Sequence, residues 1–268
     1  MRRTIAFCLL FVVGTVAWAQ EKQQSITPLV RAHSHNDYQH GRPCLDALDC
    51  GFCSIEADIY LVDGQLLVGH DRRDLKPERT LQSLYLEPLK KQVEVNGGRV
   101  YRDGPTVTLL IDIKTEAEPT YAALRAVLKK YAGILTVFHA DKTEAGAVSV
   151  IVSGNRPRKT LAEETTRYAA YDGRLEDLDA TDSASLVPLI SSNWIVTFKW
   201  RGTGELSQAE KLKLKEIVEK AHKAGRRIRF WSIPDNAAGW SEMLAAGVDL
   251  INTDHLPELR DFLLKSGR

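Results

Sequence analysis

The chain has 268 residues, 44% hydrophobic and 26% charged, enough apolar material to bury a sizeable core. Its 36 basic and 35 acidic residues leave a formal charge of +1, which argues against a nucleic-acid binder, whose phosphate contacts need a basic surplus. No tract is low in complexity, so disordered and linker-dominated organisations are excluded too.

Residues 1–19 read as an export signal: Arg2 and Arg3, an apolar run from Ile5 to Val13, then the small-x-small pattern Ala17-Trp18-Ala19. The run is too short to span a bilayer, which takes roughly 20 apolar residues. Removing it takes two arginines and no acid, and the expected mature chain, residues 20–268, is a single domain. Export to the periplasm or the medium implies an oxidising compartment, yet the mature chain keeps three cysteines, Cys44, Cys50 and Cys53. Cys50 and Cys53 have redox-motif spacing but not its strand-then-helix context, so buried structural thiols or one disulfide are expected.

Strands and helices then alternate. Leu29–Ser34 reads as a strand, and Pro43–Asp49 as a helix stopped by Gly51. Phe52–Ile59 is a second strand, followed by a hairpin turn at Asp63-Gly64. Thr106–Ile113 is nearly all apolar, as a strand buried on both faces requires. Tyr121–Tyr131 has the helical period, with Leu124, Val127 and Leu128 on one face. Strands are expected at Ile134–His139, Val148–Val152 and Tyr168–Tyr171, while Val187–Ser191 reads as a strand or part of a long loop. Ser207 caps a helix carrying Leu214, Ile217, Val218 and Ala221 and ending at Gly225. Arg227–Ile233, a helix over Ala237–Ala246 and Asp249–Thr253 complete the series. About eight strands interleaved with helices fit one α/β unit, a single (β/α)8 TIM barrel. A doubly wound sheet is the rival, but no dinucleotide or P-loop glycine pattern follows any strand.

In such a barrel, chemistry sits where the strands end. Glu56 and Asp58 are two apart in a strand and so share a face, and Asp112 can add a third carboxylate from the neighbouring strand. Buried carboxylates side by side repel unless a cation lies between them, and an all-oxygen set suits Mg²⁺ or Ca²⁺. Alternatively, Glu56 pairs with Lys114 and Asp58 caps a loop. His35 and His70 are candidates for an acid–base pair, with His33 a rival for the first place. The pair His33 and His35 also suggests zinc, but no third soft ligand follows at zinc spacing.

His35-Asn36-Asp37, Gly51, Glu56-Ala57-Asp58, Asp63-Gly64 and His70-Asp71, in this order, resemble the phosphatidylinositol-phospholipase-C-like phosphodiesterases, which include glycerophosphodiester phosphodiesterases and sphingomyelinase D. Asp112-Ile113-Lys114, the aromatic-bearing strand Arg229–Ile233 and Ile251-Asn252-Thr253-Asp254 extend the resemblance over most of residues 30–260. It implies one divalent metal on Glu56, Asp58 and Asp112, catalytic His35 and His70, and substrate contacts from Asn36, Lys114, Trp231 and His33. The implied activity is metal-dependent cleavage of a glycerophosphodiester or phospholipid headgroup, with neither nucleic acid nor stable membrane insertion. Two positions depart from the glycerophosphodiesterase pattern: Asn36 replaces its phosphate-binding arginine, and Asp112 its third glutamate. The alternative is an inactive barrel that binds a phosphorylated lipid or sugar.

Overall fold

The computed structural model describes residues 26–140 and 142–267, so the expected export signal lies outside the described residues. Eight parallel strands form the barrel: β1 (Leu29–Ser34), β2 (Phe52–Val62), β3 (Val107–Ile113), β4 (Val148–Gly154), β5 (Ala170–Gly173), β6 (Leu189–Asn193), β7 (Arg227–Trp231) and β8 (Leu250–Thr253). The ring closes because β1 pairs with β8, Ala32 beside Ile251, and also with β2, Ser34 beside Ile55. Outside lie α1 (Leu45–Asp49), α2 (Glu87–Val95), α3 (Ala117–Lys129), α4 (Arg158–Glu163), α5 (Trp194–Thr197), α6 (Gln208–Lys223), α7 (Ala237–Ala246) and α8 (Leu256–Lys265). This is the single (β/α)8 barrel expected from the alternation.

The strand alternation sorts the core into two layers. Leu110, Ile151, Ala170, Leu189 and Leu250 form a small cluster inside the ring, while their strand neighbours join the larger core against the helices. Residues of the same parity one step further along reach the C-terminal mouth, where the inner layer turns polar. On the outer ring, α6 buries Leu214, Val218 and Ala221, and Ser207 accepts the Glu210 N–H at its start. Each such large aliphatic side chain contributes about 1.5–3 kcal/mol by leaving water. Gly51 takes φ +85°, and a Cβ there would lie 2.3 Å from the Thr27 carbonyl oxygen, which is why a glycine stops α1.

Two strand assignments exchange places. Ile134–His139 is not a barrel strand: Val137–His139 joins a small antiparallel sheet with Thr143–Glu144 and Thr166–Arg167. That segment precedes β4, so it lies at the N-terminal end, and its Phe138 packs against the inner cluster beneath the Arg167 guanidinium. The ambiguous stretch at Val187–Ser191 supplies the missing strand, β6, whose following turn is anchored by the fully buried Trp194 stacked on Phe198. A helical segment absent from the reading above, a π-helical turn at Gln82–Leu86 running into α2, packs beside β2 through Tyr85. Among the described residues Cys44, Cys50 and Cys53 are free thiols, with Cys44 and Cys53 buried.

Candidate active site

Strand register assembles the acidic cup. Glu56 and Asp58 point inward from β2, and pairing of β2 with β3 sets Asp112 directly beside Asp58. One carboxylate oxygen from each of the three lies within 4.8 Å of the other two. Gly154, opposite Ile113 on β4, makes room: with φ +68°, a Cβ there would sit 2.1 Å from Asp112 Oδ1.

The cup is partly neutralised from two sides. Arg229 on β7, almost fully buried, donates to Glu56 Oε2 at 2.8 Å. Lys114 Nζ lies 3.0 Å from Asp58 and 3.2 Å from Asp112. Glu56 therefore does not pair with Lys114, the alternative the sequence left open; the lysine belongs to the two aspartates. Burial alone would push the Glu56 carboxyl up, but the Arg229 charge overrides it and holds it well below the usual carboxylate range. Asp58 goes the other way: burial and the Glu56 charge push it up to about 7 despite Lys114. Burial also raises Asp112. Asp58 Oδ1 is buried with no hydrogen-bond partner among the described residues. An orphaned carboxylate oxygen, carboxyls raised by crowding and an all-oxygen donor set fit a hard divalent cation.

His35 and His70 both line the cleft above the cup. His35 Nδ1 lies 2.9 Å from Asp254 Oδ1, just beyond β8. Burial works against a charge on this imidazole, but Asp254 and Glu56 raise its pKa above the ordinary value. His70 Nδ1 meets the Tyr38 hydroxyl at 3.0 Å, and that hydroxyl also lies 2.8 Å from Asp58 Oδ2 and 2.6 Å from Asn36 Oδ1. Tyr38 thus ties the second histidine to the cup. Asp71 has no such part, because its carboxylate meets Arg73 at 3.2 Å.

His33, expected among the substrate contacts, has no solvent exposure and lies under the floor. The cause is depth along the strand: His33 lies within β1 and points into the ring, whereas His35 sits past its end. Burial and the Arg229 charge depress the His33 pKa to about 4, so the ring is neutral. Arg229 can only donate to its Nε2, at 2.6 Å, which leaves the ring proton on Nδ1 for Ser54 Oγ at 2.7 Å. No soft ligand set surrounds it, and the zinc reading has no geometric support.

The cleft encloses about 320 Å³, with Asn36, Lys114 and Trp231 on its walls. Four contributors were not assigned roles from the sequence. Arg229 and Trp231 share a β7 face by strand alternation, a signal that was available. Asp254 and Tyr38 stood beside quoted motifs. Arg174 carried no signal at all; it pairs with fully buried Asp172 at 2.7 Å, donates to Ser153 Oγ at 3.2 Å and lies over Trp231 at 5.2 Å.

The chain matches the AIM6-like phosphodiesterase domain over residues 20–172 and the glycerophosphoryl diester phosphodiesterase family over residues 227–257. It is 29% identical to an altered inheritance of mitochondria protein 6 homolog from Arthroderma benhamiae, across 84% of this chain and 81% of that one. Identity to altered inheritance of mitochondria protein 6 of Lachancea thermotolerans is 30%, across 93% and 68%. Two crystal structures of glycerophosphodiester phosphodiesterases share the fold. The Agrobacterium tumefaciens enzyme superposes with a TM-score of 0.52 at 18% identity, covering 87% of this chain and 99% of its own. For the Parabacteroides distasonis enzyme the values are 0.53 and 17%, covering 90% and 99%. With more than half of its length matched, the chain belongs to the AIM6-like phosphodiesterase domain family, carried on a barrel of the glycerophosphodiesterase kind.

Proposed function

We propose that this protein is an exported, divalent-metal-dependent phosphodiesterase acting on a small-molecule or lipid-headgroup phosphodiester. The observation that carries the reading is the convergence of His35 and His70 on one cleft above a three-carboxylate cup whose Asp58 Oδ1 has no protein partner. Glu56, Asp58 and Asp112 would hold Mg²⁺ or Ca²⁺, which when bound offsets negative charge developing on phosphoryl oxygens. Lys114 and Arg174 supply positive charge in the same cleft, in place of the arginine that Asn36 replaces. One imidazole takes the proton of the attacking hydroxyl and the other gives one to the leaving oxygen. Asp254 and Glu56 raise the His35 pKa despite its burial, which suits His35 to the proton-giving part. An attacking hydroxyl inside the substrate is already positioned, so a cyclic phosphate is the expected first product.

The test is a panel of phosphodiesters assayed with and without chelator. Turnover that survives complete removal of metal overturns the metal role. Phosphorus NMR in ¹⁸O-labelled water reads the route, and an acyclic, labelled first product rules out internal attack. A second reading, a barrel that binds a phosphorylated lipid or sugar without turnover, draws on Lys114 lying across the two aspartates. Tight phosphodiester binding with no cleavage under any metal would establish it. Among the described residues no helix is long and apolar enough to cross a membrane. Export rests on the pattern of residues 1–19, and amino-terminal sequencing of the native protein should begin at Gln20.

A further inference from the structure

His70 stands between two hollows. One is the cleft above the acidic cup; the other is a larger groove of about 480 Å³ formed where the segment after the hairpin folds back toward Tyr38. Arg73, Lys76 and Arg79 line this groove with His40, against one carboxylate, Asp74. Asp74 Oδ2 is turned to the Asp71 backbone N–H at 3.2 Å. Arg73 is held by Asp71, and Arg79 donates to the Tyr38 carbonyl oxygen at 2.5 Å. Among the described residues, neither Lys76 nor Arg79 has a carboxylate within ion-pair distance. His40 keeps a buried Nε2 with no partner.

We propose that this groove is an anion subsite, which receives a second phosphate or carboxylate on the substituent attached at the His70 side of the scissile phosphate. The inference rests on the phosphodiesterase reading and sharpens its substrate class to diesters carrying an additional anionic group. The chemistry is that of phosphate recognition by cations: guanidinium groups offer planar pairs of N–H donors, and an ammonium adds a mobile point charge. Surplus positive charge in a concave wall also concentrates anions before any contact forms. Both hollows share His70, so one substrate can occupy them together.

The experiment maps binding of inorganic phosphate to the mature protein by amide chemical shifts. The expected result is a saturable set of shifts over residues 70–79. Its affinity should fall on the order of fivefold in Lys76→Glu, the loss of about 1 kcal/mol expected of an exposed charge pair. Arg73→Ala is the second variant, and both side chains are exposed enough to leave the core intact. Shifts confined to the surroundings of Lys114 and Arg174, unchanged in Lys76→Glu, would overturn the proposal. A kinetic arm compares kcat/KM for two diesters that differ only by a second phosphate; the preference for the doubly charged one should collapse in Lys76→Glu. Sedimentation with phosphatidylglycerol vesicles distinguishes a lipid headgroup from a soluble anion as the carrier, since only the former is pulled down in a Lys76-dependent way. Phosphate binding needs no turnover. If no diester is cleaved but residues 70–79 bind phosphate, the enzymatic reading fails and the subsite stands; the reverse result removes the subsite alone.

Discussion

Replacing Arg229 by Met isolates the charge that holds Glu56 ionised in the barrel interior. Both side chains are more than nine-tenths buried, and the guanidinium donates to Glu56 Oε2 at 2.8 Å. Methionine keeps the stem and removes the charge, so Glu56 must stay ionised without a partner or take up a proton. Protonating a carboxyl of ordinary pKa at neutral pH costs about 3.7 kcal/mol, which caps the penalty carried by the variant's own Glu56. That ceiling agrees with the roughly 3–5 kcal/mol seen when one partner of a buried pair is removed. The expected loss is about 3 kcal/mol near pH 7. In the wild type the Glu56 pKa is depressed, so its contribution is present above the unfolded value and is lost as pH falls through the folded one. In the variant the folded pKa is raised, and the penalty vanishes as pH falls toward the unfolded value. The gap between the proteins should therefore be smaller near pH 4.5 than near pH 7, since only the wild type's own contribution, lost at still lower pH, remains there. Urea unfolding of both proteins at the two pH values, with chelator throughout, measures it. A loss below about 1 kcal/mol at neutral pH, or an equal loss at both values, refutes the assignment of Arg229 as the counter-charge of Glu56.

Three further outcomes are expected. His35→Ala and His70→Ala should each lower kcat on the order of 10²–10⁴-fold without multiplying in the double variant, and a His35→Ala enzyme at full rate would dismiss the pair. Gly154→Ala should cost at least about 1–2 kcal/mol of strain at its positive φ and also weaken divalent-cation binding by pushing on Asp112, as calorimetric titration would read; an unchanged affinity contradicts the contact. Asp254→Asn should shift the NMR titration of His35 to lower pH. Because Asp254 raises the folded pKa, its stabilisation is full below the ordinary value near 6.5 and is lost as pH rises through the raised one, so the variant should be less stable on the acid side only.

Most of the fold was legible because the barrel strands obey simple rules. Val107–Ile113 is buried on both faces and reads as a continuous apolar run, Gly51 marks a helix end by a positive φ its neighbours adopt poorly, and Ser207 marks a helix start by its capping side chain. The exchange between Ile134–His139 and Leu189–Asn193 was not legible, since a short apolar run looks the same whether it pairs inside the ring or plugs its end. At the site, the order Glu56, Asp58, Asp112 and Lys114 was readable from parity and strand ends. The protonation states were not, because they depend on desolvation and on charges from other strands.

The amino-acid sequence alone determined that strands and helices alternate, that Glu56 and Asp58 share a face, and that histidines flank strand ends. Those are local properties, set by a side-chain period of two and by the conformational preferences of a few residues. Closure of the barrel decided which groups meet across it. Arg229 reaches His33 over 196 positions and Glu56 over 173, and no local rule distinguishes that arginine from Arg227 on the same strand. Closure likewise placed His33 beneath the floor and His35 at the mouth, although they are two residues apart. Where β1 ends relative to β2 and β8 separates a buried neutral imidazole from one that faces the cleft.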